Sequence, residues 1–299
     1  MFSLVSSFWL LAAALFIVGL GLGSIEVGGN SLIVELHSRA RGRFLNLLAV
    51  FHGVGSFLAP LFAAQLLTGG FSWRQVYQFS ILLAVGLLIF FVVVRYPQRS
   101  VPASQGVALG SFLAAGFSRR MSWYYLLVGV YVAAELGIAA WIVEYLQQVK
   151  GFSLTDASLY LSLFFAAIMI GRLAGSFIVE RVGYLRALLT AAVGGLVCLS
   201  IGVFASPEMA VFIPLTGLFF SIIFPTTTAS VSALYGENMS AILGVLFAFG
   251  GLGGALGPWA IGVTADAVGL QWGFALTIVF CLVMLVALLV LQRMMGGRR

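Results

Sequence analysis

The sequence predicts an all-α, polytopic bundle of about nine membrane-spanning helices, on three observations. The residues are 62% hydrophobic and only 8% charged, whereas a soluble domain carries about 25% charged residues. Mean hydropathy is +1.14, and the basic residues gather on one side when alternate loops are compared. With 62% of 299 residues apolar, the chain fills about nine spans of roughly 20 residues each.

Apolar runs bounded by polar clusters place the spans at about 8–34, 44–67, 75–94, 122–147, 155–178, 184–205, 209–234, 239–263 and 271–292. Pro97, Pro102 and neighbouring polar residues break the pattern. The expected organisation is therefore a three-span group at 1–94, a cytoplasmic linker at 95–121 and a six-helix bundle at 122–299. Within the linker, VALGSFLAAGF has the composition of a segment lying along the membrane surface.

With these spans, one side carries Arg39, Arg41, Arg43, Arg95, Arg99, Arg119, Arg120, Arg172, Arg181, Arg186, Arg293, Arg298 and Arg299, and the other only Arg74 and Lys150. Thirteen against two accounts for all 15 Lys and Arg. Positive charge stays inside, so the linker and the C-terminus are expected in the cytoplasm and Met1 outside. The net charge of +6 thus reports orientation and implies no nucleic-acid partner. No basic, cleavable leader is evident at the N-terminus.

Two Cys and two His supply neither a zinc site nor a disulfide framework. Cys198 and Cys281 lie in apolar runs and are expected to pack as small hydrophobes. No nucleophile, base and orienting group stand at recognisable spacing, so an enzyme, a metal or a cofactor is not expected.

The chain repeats itself without a gap at an offset of 198 residues. FHGVGSFLAP, ending at Pro60, lies over FGGLGGALGP, ending at Pro258, and Gly19, Leu36, Leu45, Phe51, Gly53 and Gly55 meet their identical partners. Parallel repeats of six helices are a transporter architecture. Spans one to three pair with seven to nine, and spans four to six have no upstream counterpart. Three helices of a twelve-helix whole are therefore expected to be absent.

Two acids fall deep in apolar runs, Glu26 and Glu135, where a charge costs at least a few kcal/mol. Glu26 stands about 12 Å from the cytoplasmic end of its span at 1.5 Å per residue, and His52 stands at the same depth on the next span. A desolvated carboxyl beside an imidazole has the chemistry of proton coupling. The alternative is a protonated Glu26 satisfied by a neighbouring helix. Asn30 follows one turn after Glu26 on the same face. Gly19, Gly21, Gly23, Gly28 and Gly29 thin that helix, which suits a cavity but favours close packing. Gly253 and Gly257 also read as packing. In the fourth span, Tyr131, Glu135, Trp141, Glu144 and Tyr145 mix aromatic and polar groups, as sugar sites do. Glu144 and Tyr145 lie near the outer end, where an interfacial belt is expected. For Glu135 and Trp141, cavity lining and plain packing stand level. Thr226, Thr227 and Thr228 after Pro225 interrupt the seventh span, where hydroxyls also serve to repair backbone bonds freed by proline.

GLGLGSIEVGGN, FLNLLAVFHGVGSFLAP, VYVAAELGIAAW, IGRLAGSFI and FSIIFPTT resemble successive segments of the fucose:proton symporter family of the major facilitator superfamily. The resemblance runs over essentially the whole chain and implies that the nine spans correspond to that family's helices four to twelve. It implies a substrate and proton-coupling carboxylate at Glu26 with Asn30 beside it. His52 stands where the fucose-type pattern has Asn. A second coupling carboxylate belongs to the family's helix one, which this chain lacks. The resemblance therefore implies a cavity wall left open to lipid or to a further membrane chain, which puts transport by this chain alone in doubt. GSFIVERVGYLR, with Gly175, Glu180, Arg181, Gly183 and Arg186 at a short cytoplasmic turn, resembles a loosened form of the superfamily's gating loop. Its charges are expected to clamp one closed state, unless they only set topology.

The expected function is proton-coupled uptake of a monosaccharide or similar small polar solute across the inner membrane by alternating access. Glu26 would carry the proton, and Asn30, His52, Glu135 and Trp141 would contact the solute. The competing readings are export of hydrophobic compounds and a non-transporting sensor or partner subunit.

Overall fold

The computed structural model describes residues 7–37, 41–94, 116–234 and 239–296. The linker's residues 95–115, and with them most of VALGSFLAAGF, lie outside the described residues. So do Arg39, Arg95, Arg99, Arg298 and Arg299.

Helices dominate the order. They are α1 (Phe8–Leu36), α2 (Arg41–Thr68), α3 (Trp73–Val93), α4 (Arg119–Gln148), α5 (Leu154–Val182), α6 (Tyr184–Phe204), α7 (Phe212–Phe220), α8 (Ile223–Leu234), α9 (Met239–Val268) and α10 (Leu270–Gly296). A 3-10 turn at Pro207–Val211 leads into α7. Among the described residues, eight segments are long and apolar enough to cross a bilayer. The second expected span, α2, is 28 residues long but carries a shorter apolar stretch, Leu47–Ala59.

Caps written in the sequence start several helices. Ser72 opens α3 with a capping box, its hydroxyl accepting from the Gln75 amide at 3.4 Å while Gln75 Oε1 accepts from the Ser72 amide at 2.8 Å. Ser118 and Ser153 accept in the same way from Met121 and Asp156. Such a hydroxyl satisfies one of the first four amides that a helix leaves without partners. Gly183, at φ +90°, ends α5 and starts α6 with no intervening loop, a backbone angle a β-carbon disfavours.

The seventh span breaks earlier than the threonines suggested. α7 ends at Phe220 and α8 begins at Ile223, so the break falls on Ser221 and Ile222. Pro225 explains the position, because a proline lacks the amide and its ring crowds the carbonyl four residues upstream, here that of Ser221. Thr228 donates to the Phe224 carbonyl at 3.0 Å and Ser232 to Thr228 at 2.7 Å, so part of the hydroxyl run does serve the backbone. The Thr226 and Thr227 hydroxyls are buried without a partner.

The chain divides into two compact units, one of Met1–Gly29 with Ser56–Val107 and one of Asn30–Gly55 with Ala108–Arg299. In the first, α3 has no buried residue. Along α1, a β-carbon at Gly19, Gly21, Gly23 or Gly28 would meet no atom within 4 Å. The packing expected of these glycines is therefore not made among the described residues.

The second unit has a core built on α4, which packs against α9 and α10, while α5 and α6 close on α7. Small residues let α4 and α9 touch backbone to backbone. A β-carbon at Gly257 would lie 2.5 Å from the Ala133 Cα, and one at Gly253 would collide with the Gly129 carbonyl. The packing read for both glycines holds. Without a hydrophobic drive between helices in lipid, such close approach is what gains dispersion energy. Cys198 and Cys281 are buried free thiols, as expected.

At one end of this unit the α6 terminus is tied down. The Val203 carbonyl accepts from Tyr145 Oη at 2.8 Å, Lys150 Nζ at 3.0 Å and Gln271 Nε2 at 3.3 Å, and Lys150 also reaches the Ala205 carbonyl at 2.6 Å. A cation on the last carbonyls of a helix is favourable. Partial burial draws the Lys150 pKa below its usual value. Tyr145 is fully buried and stacks on Phe274, centroids 4.2 Å apart. The interfacial belt expected for it is thus replaced by a core position, because its hydroxyl has a carbonyl to bond inside the protein.

Candidate functional site

Polar groups inside the spans collect at α4 and α5. Tyr131, fully buried on α4, has the Glu135 carboxylate and the Arg172 guanidinium as its charged neighbours, yet its hydroxyl has no hydrogen-bond partner. Glu135 follows Tyr131 by one turn of α4 and is half-buried. Arg172, on α5, is only 8% exposed. Its Nη1 donates to the Ala49 carbonyl of α2 at 2.9 Å, and its Nε has no partner. Ala49 and Arg172 both belong to the second compact unit, as do Gly53 and Met169. The β-carbon position of Gly53 lies 3.2 Å from the Met169 Cβ. The α2 backbone at Ala49 and Gly53 therefore comes close to α5 beside the arginine.

Arg172 corrects the loop count. It sits about 15 Å from the Val182 end of α5 at 1.5 Å per residue, inside a continuous helix, so it is an intramembrane charge. The side it was assigned to loses one arginine and keeps the excess. The sign was present in the sequence, since apolar residues flank it on both sides in AAIMIGRLAGSFIV.

The other expected site residues are distributed as follows. Glu26 and Asn30 both lie on α1, Glu26 exposed from protein and Asn30 half-buried, and each makes interactions within the structure. Glu26 falls in the first unit, and Asn30 and His52 fall in the second. His52 is exposed on α2, next to Gly53. Trp141 is engaged elsewhere. Its Nε1 donates to the Pro258 carbonyl on α9 at 2.9 Å, and its ring stands 3.0 Å from the β-carbon position of Gly262. Thus Tyr131, Glu135 and Arg172 come together, while Trp141 joins α4 to α9.

In the expected gating loop, Gly175 is not in the turn. It lies within α5, and a β-carbon there would run into the Ile222 side chain at the break between α7 and α8. The turn itself reduces to Gly183. Glu180, Arg181 and Arg186 are exposed around it, and among the described residues no ion pair joins them. No group of three or more His, Cys, Asp or Glu able to hold a metal occurs among the described residues.

A bundle of apolar helices with a few charged and hydroxyl groups placed inside the membrane is the construction of a solute carrier. Comparison with known proteins identifies the class. The family model of the Major Facilitator Superfamily matches residues 1–213, and the chain belongs to that family. It is a multi-pass membrane protein whose relatives are transporters and not enzymes. It is 28% identical over 293 residues to a glucose/galactose transporter of Brucella abortus biovar 1, covering 90% of this chain and 68% of that protein. It is 23% identical over 254 residues to the L-fucose-proton symporter of Escherichia coli, covering 74% and 58%. It is 29% identical over 219 residues to a TsgA homologue of Citrobacter koseri, covering 72% and 54%. The crystal structure of the Escherichia coli fucose:proton symporter superposes with a TM-score of 0.74 at 20% identity, covering 95% of this chain and 77% of that one. This last likeness establishes the fold.

Proposed function

We propose that the protein is a sugar transporter of the bacterial inner membrane that couples uptake to a proton. The observation that carries the reading is the similarity to a glucose/galactose transporter across 90% of the chain. The chemistry supports it. A hexose presents hydroxyls and an apolar ring face, and the spans offer Glu26, Asn30, His52 and Glu135 for the hydroxyls in an otherwise apolar setting. In this reading Glu26 takes and releases the proton, since the membrane penalises the charged carboxylate and so favours the protonated form. Asn30, His52 and Glu135 contact the solute, and Trp141 holds α4 on α9. The span groups 1–94 and 122–299 rock about the site, joined by a cytoplasmic linker at 95–121, with the C-terminus on the same side. Arg181 and Arg186 at the Gly183 turn would steady one of the closed states.

Uptake in proteoliposomes tests the reading, with radiolabelled D-glucose, D-galactose and L-fucose driven by an inward proton gradient. Glu26→Gln is expected to abolish gradient-driven accumulation while sugar exchange without a gradient persists. Unchanged gradient-driven accumulation in that variant would end the coupling role of Glu26. Absence of uptake and exchange of all three sugars by the unaltered protein would end the sugar assignment.

A further inference from the structure

We propose that Arg172 is a positioning residue for the solute, the counter-charge that holds Glu135 and the Tyr131 hydroxyl in place and fastens them, through the Ala49 carbonyl, to α2. This inference rests on the proposed function and deepens it. An arginine buried in the membrane is expensive and needs a compensating group. The Ala49 carbonyl satisfies Nη1 but brings no negative charge. Glu135 is the acid that shares the Tyr131 neighbourhood with it. The guanidinium is planar with donors fixed in a fork, so one edge can engage a backbone carbonyl while another faces a carboxylate. Two polar atoms remain without partners at this point, Tyr131 Oη and Arg172 Nε, each on a side chain more than nine-tenths buried. Unsatisfied buried donors cost free energy that a bound hydroxyl recovers. A solute hydroxyl that accepts from both Arg172 Nε and Tyr131 Oη through its two lone pairs, while donating its proton to Glu135, satisfies all three. The arrangement also connects the C-terminal bundle to the helix that carries His52, because Ala49 and Gly53 meet Arg172 and Met169 across the α2–α5 contact.

The test is a double-mutant cycle on the full chain with Arg172→Gln, Glu135→Gln and the two together, plus Arg172→Lys as the conservative variant. D-Glucose, D-galactose and L-fucose exchange is measured for KM and maximal rate, and thermal unfolding in detergent is measured without sugar. Each single Gln variant is expected to raise KM by about tenfold or more, the size of a hydrogen bond to a charged group. The double variant should be no worse than the poorer single one, and Arg172→Lys should recover part of the affinity. A merely structural arginine would lower the amount of active protein, and hence the maximal rate, without moving KM. Multiplying losses in the double variant, or an unchanged KM in Arg172→Gln, would overturn the proposal. If the unaltered protein exchanges none of the sugars, the sugar reading falls while the melting temperatures still decide the pairing. A double variant that melts above at least one single variant supports the Arg172–Glu135 couple, and additive losses refute it.

Discussion

Two regions of equal apolarity use it differently. The 18-residue apolar windows of α1 and α3 have mean hydropathies of 2.2 and 2.5, yet 6% and none of those residues are buried in protein. Those of α4, α5 and α6 are no more apolar, at 2.1, 1.9 and 2.2, but 44%, 44% and 50% of their residues are buried. Hydropathy therefore reports that a segment prefers the bilayer and says nothing of whether lipid or protein covers it. Lipid tails are as apolar as leucine, so only close fit and polar contacts draw helices together. The regions differ in where the small and polar residues stand. On α4 and α9, Gly129, Ala133, Gly253 and Gly257 meet face to face, whereas a β-carbon at Gly19, Gly21, Gly23 or Gly28 of α1 would meet nothing within 4 Å.

Substitutions can break or sharpen this contrast. The largest effect is expected for Gly257→Leu, which forces a side chain onto the Ala133 backbone and should cost about 3 kcal/mol, seen as a lower melting temperature in detergent. Trp141→Phe keeps most of the ring but deletes the donor to the Pro258 carbonyl, for an expected loss of about 1 kcal/mol. Tyr145→Phe should cost less, about 0.6 kcal/mol, the average for such bonds between membrane helices, because Lys150 and Gln271 still serve Val203. Gly21→Leu on α1 should change stability by no more than about 0.5 kcal/mol. A loss at Gly21 as large as at Gly257 would show that the two regions pack alike.

Individual residues show how far the sequence could be read. Gly253 and Gly257 were legible because small residues four apart have one common use in lipid, and Cys198 and Cys281 because a thiol in an apolar run has little else to do. Tyr145 was not, because near a helix end an aromatic hydroxyl suits the membrane interface. Arg172 stood inside the expected fifth span, between apolar residues on both sides, although the charge count placed it with the cytoplasmic loops. The backbone carbonyls of Val203 and Ala49, contributed by distant helices, are what bring these two side chains inside. Pro225 was read correctly as a disruption, but its break appears upstream because the clash falls on the preceding turn.

The sequence by itself determined that the chain lives in a bilayer, roughly where it crosses, and which family it resembles, because the cost of exposing polar backbone to lipid forces long apolar helices whatever their neighbours are. Only the tertiary structure decided which of those helices are covered by protein. It also decided that Arg172 is buried with its Nη1 on the Ala49 carbonyl, since a buried charge is tolerated only where other segments of the chain supply its partners, and those segments are far apart in sequence.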